Sequence, residues 1–181
     1  MRSFLARRAL DAFAARYDYD VGYLRHMLDL APAAFAKFGA LTALAQFRQA
    51  VPAASFYAAK LAGALAEDCG PCTQLVVDMA REAGVAAGEI EAVLQHRPSA
   101  MALETAIAFR FADALLCRAA ALEDARESVR ACWGDAGVLD LTLALQIGRV
   151  FPMVKAGLGF AKACRRVHID GRVVEVAAKA A

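Results

Sequence analysis

Apolar residues recur at steps of three and four along almost the whole chain, and sustained alternation of period two is nearly absent. That is the pattern of packed helices, each laying an apolar stripe against its neighbours. It predicts helices over 3–16, 20–30, 32–48, 53–66, 71–83, 87–96, 100–120, 123–133, 135–149 and 152–165. Pro32 and Pro52 suit first helical turns, and Gly84 suits a stop after "VVDMAREA". Ser99 is the expected N-cap of the helix that carries Glu104, and Asp68 of the helix that follows it. Pro152 lies inside an apolar pattern and is expected to break or kink it.

One stretch departs from the helical pattern. "VHIDGRVVEV" (167–176) places Asp170-Gly171 between short β-branched runs, the signature of a type I′ hairpin. A lone hairpin is marginal in water, so this one must dock on the helical body or on a neighbouring subunit. No internal repeat, low-complexity segment or linker divides the rest. The expectation is one all-α domain over 1–181, of a length that supports a sizeable core.

Composition adds a prior for assembly. The 181 residues are 60% hydrophobic, with 10 Phe, and the mean hydropathy is +0.41. Much of this is alanine, but the remainder is more apolar surface than a small lone domain easily hides. A homo-oligomer is therefore expected. The greasiest stretches are interrupted by Arg48 and Lys60, and by Asp140, Arg149 and Lys155. No run reaches the roughly 18 uncharged apolar residues of a membrane span. The N-terminal stretch has no uninterrupted apolar region of the kind a signal peptide carries. A cytoplasmic protein without membrane partners is the expectation. A net charge of +2 with dispersed basic residues predicts no nucleic-acid partner.

Five cysteines, an odd number, argue against a secreted disulfide framework. Two of them form Cys69-Gly70-Pro71-Cys72, and a C-x-x-C serves redox chemistry and zinc binding alike. A thioredoxin fold requires a strand directly before this tetrapeptide. Here "PAASFYAAKLAGALAED" precedes it and "TQLVVDMAREAG" follows, both helical. The dithiol is thus expected at the first turn of a helix, with Cys69 and Cys72 on one face and close enough to form a disulfide. Free N–H groups and the helix dipole favour a thiolate there, while Glu67 and Asp68 oppose it by repulsion.

An amphipathic helix, a small-residue turn with C-x-x-C and a second helix ending in Ala-Gly-Val resemble the carboxymuconolactone decarboxylase superfamily, in its alkylhydroperoxidase D-like branch. "WGDAGVLDLTLALQIGRVFPMVKAGLGFA" (133–161) is similar to that family's closing segment. The resemblance spans roughly 25–162. It implies an all-helical fold, a homo-oligomer (trimer or hexamer), no cofactor and a dithiol peroxidase that draws on a dithiol reductant, with Cys69 and Cys72 catalytic.

Two positions depart from that family. Val76 stands where its histidine would be, four residues after the second cysteine, and Tyr57 where its glutamate would be, twelve before the first. Those two residues relay the proton that generates the thiolate. Lys60, Tyr57, Glu67 and Gln74 are the local candidates to replace them. Lys60 would act through its charge or, alternatively, lie at the surface; Glu67 also suits a cap. With weakly activated thiols, turnover is expected to be slow at neutral pH and to rise toward alkaline pH. Family analogy favours Cys72 as the attacking thiol, whereas the helix dipole favours Cys69.

The remaining candidates are weaker. Cys164 and His168 in "CRRVH" would join Cys69 and Cys72 as a Cys₃His zinc set only if 92 residues of chain brought them together. Cys117 and Cys132 fall on apolar faces and are expected to be buried. His26 and His96 read as surface residues, and "DARESVR" as a solvated, salt-bridged face. The function expected is a peroxidase or disulfide oxidoreductase in antioxidant defence. The alternatives are a member of the same fold that binds without turnover, and a zinc-bound structural site.

Overall fold

The computed structural model describes residues 2–162 and 166–177. Among these residues nine α-helices run in order: α1 (Arg2–Tyr17), α2 (Gly22–Leu30), α3 (Pro32–Gly39), α4 (Leu41–Leu44), α5 (Ala53–Ala66), α6 (Gly70–Glu82), α7 (Ala87–Leu94), α8 (Leu103–Cys117) and α9 (Leu122–Gly157). Two antiparallel strands follow, β1 (Arg166–Ile169) and β2 (Arg172–Glu175). The fold is all-α with a short hairpin. Asp170 and Gly171 both take positive φ, as a type I′ turn requires.

Helix α5 is the hub. Every residue from Ser55 to Ala64 other than Tyr57 is buried, so the helix is covered nearly all round rather than along one stripe. Its alanines and glycine leave room for backbones to approach. A Cβ on Gly63 would fall 2.2 Å from the Leu145 carbonyl oxygen, and one on Gly148 only 2.1 Å from the Lys60 carbonyl oxygen. Two glycines facing opposite helices thus let α5 and α9 cross at backbone contact. Around this pair α6, α7 and α8 add Val77, Leu94 and Phe111 to the main core, and the hairpin adds Val167, Ile169 and Val174.

The hairpin is docked by more than its apolar face. Gln74 on α6 donates to the His168 carbonyl at 3.0 Å and accepts from its N–H at 2.7 Å. Arg81 holds the Asp170 carboxylate at the turn, and the Ala177 N–H reaches the Leu94 carbonyl.

Several expectations are corrected. Pro152 does not break α9, where it is buried within regular helix; a proline there costs one hydrogen bond that the surrounding packing offsets. The interruption falls at Gly134, between the helices expected over 123–133 and 135–149, where a φ of 66° fits no right-handed helix. Ser99 lies in a short 3₁₀ turn, and the N-cap of α8 is Ala102, whose N–H is taken by Glu89 at 2.8 Å. The helix expected over 32–48 divides into α3 and α4, and α9 ends at Gly157 rather than 165. Cys117 and Cys132 are exposed. Cys117 follows Ala114, the last buried position of α8, and the part of α9 before Gly134 buries only Val129. Helix α9 is long and apolar enough by length and composition to cross a membrane. In this fold it packs on α5 and α8 and buries Asp140 and Lys155.

Candidate active site

The dithiol turn is held from both sides. At the end of α5, Glu67 pairs with Arg149 of α9 at 2.6 Å, next to the Gly148 crossing. Asp68 then takes φ 47°, and Cys69, not Asp68, becomes the N-cap of α6 with φ −110° and ψ 94°. Asp68 is spent on reversing the chain, which leaves the next residue to begin the helix. Gly70 and Pro71 form the first turn, and Cys72 lies three residues beyond the cap. The Cys69 carbonyl accepts from the Thr73 N–H at 2.9 Å and the Thr73 hydroxyl at 3.1 Å.

The two sulfurs are 2.6 Å apart, close to the roughly 2.05 Å of a disulfide bond. Their exposures are 1% and 4%. They belong to a second, smaller core formed with Leu10 of α1, Tyr19 and Val21 of the 18–21 connection, and Tyr23 and Leu28 of α2. Helix α1 is clipped to α6 over this core, Arg16 and Tyr17 reaching Glu82 at 2.9 and 2.8 Å. The Tyr19 hydroxyl is 3.4 Å from the Cys72 sulfur.

Lys155 of α9 completes the cluster. It is 0% exposed, donates to the Asp20 carbonyl at 3.2 Å, and places its ammonium 4.3 Å from the Tyr19 ring centre and 5.5 Å from that of Tyr23. Lys162 adds an ion pair with the Asp20 carboxylate at 3.8 Å.

These surroundings divide the thiols. The proton between the sulfurs can sit on either, and the local field decides. Cys69 is driven toward the thiolate chiefly by its hydrogen bond with Cys72, which outweighs the opposing cost of burial; the Cys72 N–H, the Lys155 charge and the Lys162 N–H add to it. Cys72 is driven the other way by that same bond and by burial, with Tyr19 and Lys155 opposing. The pair thus ionises once, at Cys69, as the helix terminus favours. Burial also keeps the Tyr19 and Tyr23 hydroxyls protonated.

The structure places the other sequence candidates elsewhere. Lys60 is neither solvated nor directed at the thiols: it is 5% exposed, donates to the Ala45 carbonyl at 3.0 Å and lies over the rings of Phe56 and Tyr57. Burial lowers its pKa to about 8. Tyr57 packs edge-on against Phe56. Glu67 is bound to Arg149, and Gln74 to Asp78 and the hairpin. Val76 is a buried core residue. His168 is exposed on β1, and Cys164 lies outside the described residues. Among the described residues, no group of three or more His, Cys, Asp or Glu side chains could hold a metal.

Sequence reasoning passed over Tyr19 and Lys155. Lys155 did carry a signal, since a lone lysine in the apolar run "VFPMVKAGLGF" must be buried with partners or lie at a surface. Compared with models of known families, with curated proteins and with solved structures, the chain matches none.

Proposed function

We propose that this chain is a thiol redox enzyme, an alkylhydroperoxidase-like peroxidase or disulfide oxidoreductase of antioxidant defence, whose Cys69 and Cys72 cycle between dithiol and disulfide. The observation that carries the reading is geometric: two sulfurs 2.6 Å apart at a helix N-terminus, enclosed with the Tyr19 hydroxyl and beside the buried Lys155, with Cys69 the sulfur favoured as thiolate. The Cys69 thiolate attacks the terminal oxygen of a hydroperoxide. A sulfur–oxygen bond forms, the O–O bond breaks, and the alkoxide leaves and takes up a proton. Cys72 then loses its proton and attacks the sulfenic sulfur. The disulfide forms, the sulfur–oxygen bond breaks, and water departs. Dithiol and peroxide have become disulfide, alcohol and water. An external dithiol, itself oxidised to a disulfide, resets the centre by exchange.

This assignment puts Cys69 first, in line with the helix-terminus argument rather than the family analogy. It also moves the expected pH range, because a favoured thiolate supports attack at neutral pH as well as alkaline. The rival reading, a dithiol kept for folding without turnover, rests on the burial of both sulfurs. Peroxide consumption with excess dithiol separates the two. The enzyme reading expects Cys69→Ser and Cys72→Ser each to lose about 100-fold or more in rate. Equal consumption by wild type and both variants would establish the rival.

A further inference from the structure

Tyr57 and Val76 stand where the family that the sequence resembles has its glutamate and histidine, yet the dithiol is not isolated. Two buried polar groups reach it from outside the Cys69–Cys72 turn, one on α9 and one in the 18–21 connection between α1 and α2. We propose that Lys155 is the positioning charge for the Cys69 thiolate, and that Tyr19 supplies the hydroxyl that receives the Cys72 thiolate formed in the resolving step. The inference rests on the reading that the dithiol turns over peroxide.

Lys155 is suited to this by its enclosure. It is fully buried, its side chain makes a hydrogen bond to a neutral carbonyl, and its ammonium rests on the rings of Tyr19 and Tyr23. The nearby carboxylate of Asp20 is turned to the Gly22 N–H at 2.8 Å and toward Lys162. A buried ammonium requires a compensating charge, and the thiolate is the anion the site can generate. The charge also lowers the cost of ionising either sulfur. Tyr19 touches a reacting atom directly, its hydroxyl 3.4 Å from Cys72. While Cys72 is a thiol, either atom can donate. Once Cys72 ionises to attack the sulfenic acid, the hydroxyl can only donate, and it stabilises the nucleophile at that step.

Among the described residues, the titratable groups that act on the Cys69 sulfur are Cys72 on α6, Tyr23 on α2 and Lys155 on α9, while Tyr19 faces Cys72. Lys162 contributes its backbone N–H. On the α5 side, Asp68, the residue before Cys69, is exposed to solvent, and Glu67 is held by Arg149.

The two roles give different signatures. Lys155→Met fills the same apolar volume without the charge, and should raise the thiolate pKa by about one to two units, read by absorbance at 240 nm across pH 5–10. Each unit cuts the thiolate tenfold at low pH but makes it more nucleophilic, so sulfenic acid formation slows by only about threefold per unit below the pKa. Above the pKa the variant should equal or exceed wild type, a crossing that a general loosening of the fold does not produce. Tyr19→Phe should instead transfer the delay to resolution, with sulfenic acid accumulating and becoming trappable by a cyclic 1,3-diketone, detected by mass. If wild type forms neither sulfenic acid nor disulfide with hydrogen peroxide, the peroxidase reading itself falls. If wild type does so while Lys155→Met leaves the titration in place and Tyr19→Phe accumulates no sulfenic acid, the reading stands and this inference is overturned.

Discussion

Lys60 and Lys155 are both buried lysines, and they differ in what surrounds each ammonium. Lys155 lies on the Tyr19 and Tyr23 rings of the dithiol cluster, whereas Lys60 has a carbonyl and two aromatic rings and, among the described residues, no ion-pair partner to repay its desolvation. Its pKa falls from 10.5 to about 8, so the unfolded chain binds the proton more tightly than the folded one. That difference costs stability in full below about pH 8, shrinks between 8 and 10.5, and vanishes above. Lys60→Met is expected to gain about 1–3 kcal/mol at pH 7 and to lose that advantage near pH 10.5. Denaturant unfolding at the two pH values measures it, and a variant less stable at pH 7 would mean that the carbonyl and ring contacts outweigh burial. Asp140 is the opposite case. One oxygen of this fully buried carboxylate accepts from the N–H groups of Gln49, Ala50 and Val51 at 2.8, 2.7 and 3.2 Å, fixing the entry to α5. Asp140→Ala leaves three donors without their acceptor and should cost about 2–4 kcal/mol. An unfolding midpoint equal to wild type would contradict that. In the sequence Asp140 and Lys155 read only as charges interrupting greasy runs. What buries them depends on contacts across 89 to 135 residues that no local pattern encodes.

At the scale of elements, the α5–α9 crossing positions the chemistry. One stretch of α9 carries Gly148, which sets the approach, Arg149, which holds Glu67 beside the dithiol turn, and Lys155, whose ammonium lies on the Tyr19 and Tyr23 rings and whose charge favours the thiolate. Gly148→Ala would drive a methyl group into the Lys60 carbonyl, so the helices must separate at a cost of about 3 kcal/mol or more. The same separation should loosen the dithiol turn, making Cys69 alkylate faster in the native state. A fully stable Gly148→Ala variant with unchanged alkylation would show that the crossing does not set the site. Periodicity made α5 and the hairpin legible because each is locally consistent: a continuous small-residue helix, and Asp-Gly between β-branched runs. It placed one break between 133 and 135, where Gly134 takes its positive φ, and a second at Pro152, where the helix instead continues because proline's φ suits a helix. The Cys-Gly-Pro-Cys turn was legible as a helix start, but its cap was off by one residue because Asp68 adopts a left-handed conformation.

Across the whole molecule, apolar side chains remain at the surface on several elements, among them Leu30, Leu103, Leu139 and Met153. With the mean hydropathy of +0.41, they support the proposal of a homo-oligomer. Sedimentation at micromolar concentration is expected to show a species heavier than 19.2 kDa; that mass alone would refute the assembly. The sulfurs lie between the main body and the N-terminal helices, a placement that no sequence pattern announced, since α1 and α2 are far in sequence from residues 69 and 72. It is also why Tyr19 was missed and Lys60 favoured: sequence proximity pointed along α5, whereas the contacts came from the 18–21 connection and α9. The central claim is that this enclosed pair is a working dithiol. Peptide-resolved mass spectrometry of the reduced protein after one equivalent of hydrogen peroxide at pH 7 tests it most directly. The account predicts rapid formation of a Cys69–Cys72 disulfide, with the exposed Cys117 and Cys132 still reduced, and sulfenic acid on Cys69 when Cys72 is serine. Oxidation that begins at the exposed cysteines and leaves Cys69 and Cys72 as thiols would contradict it.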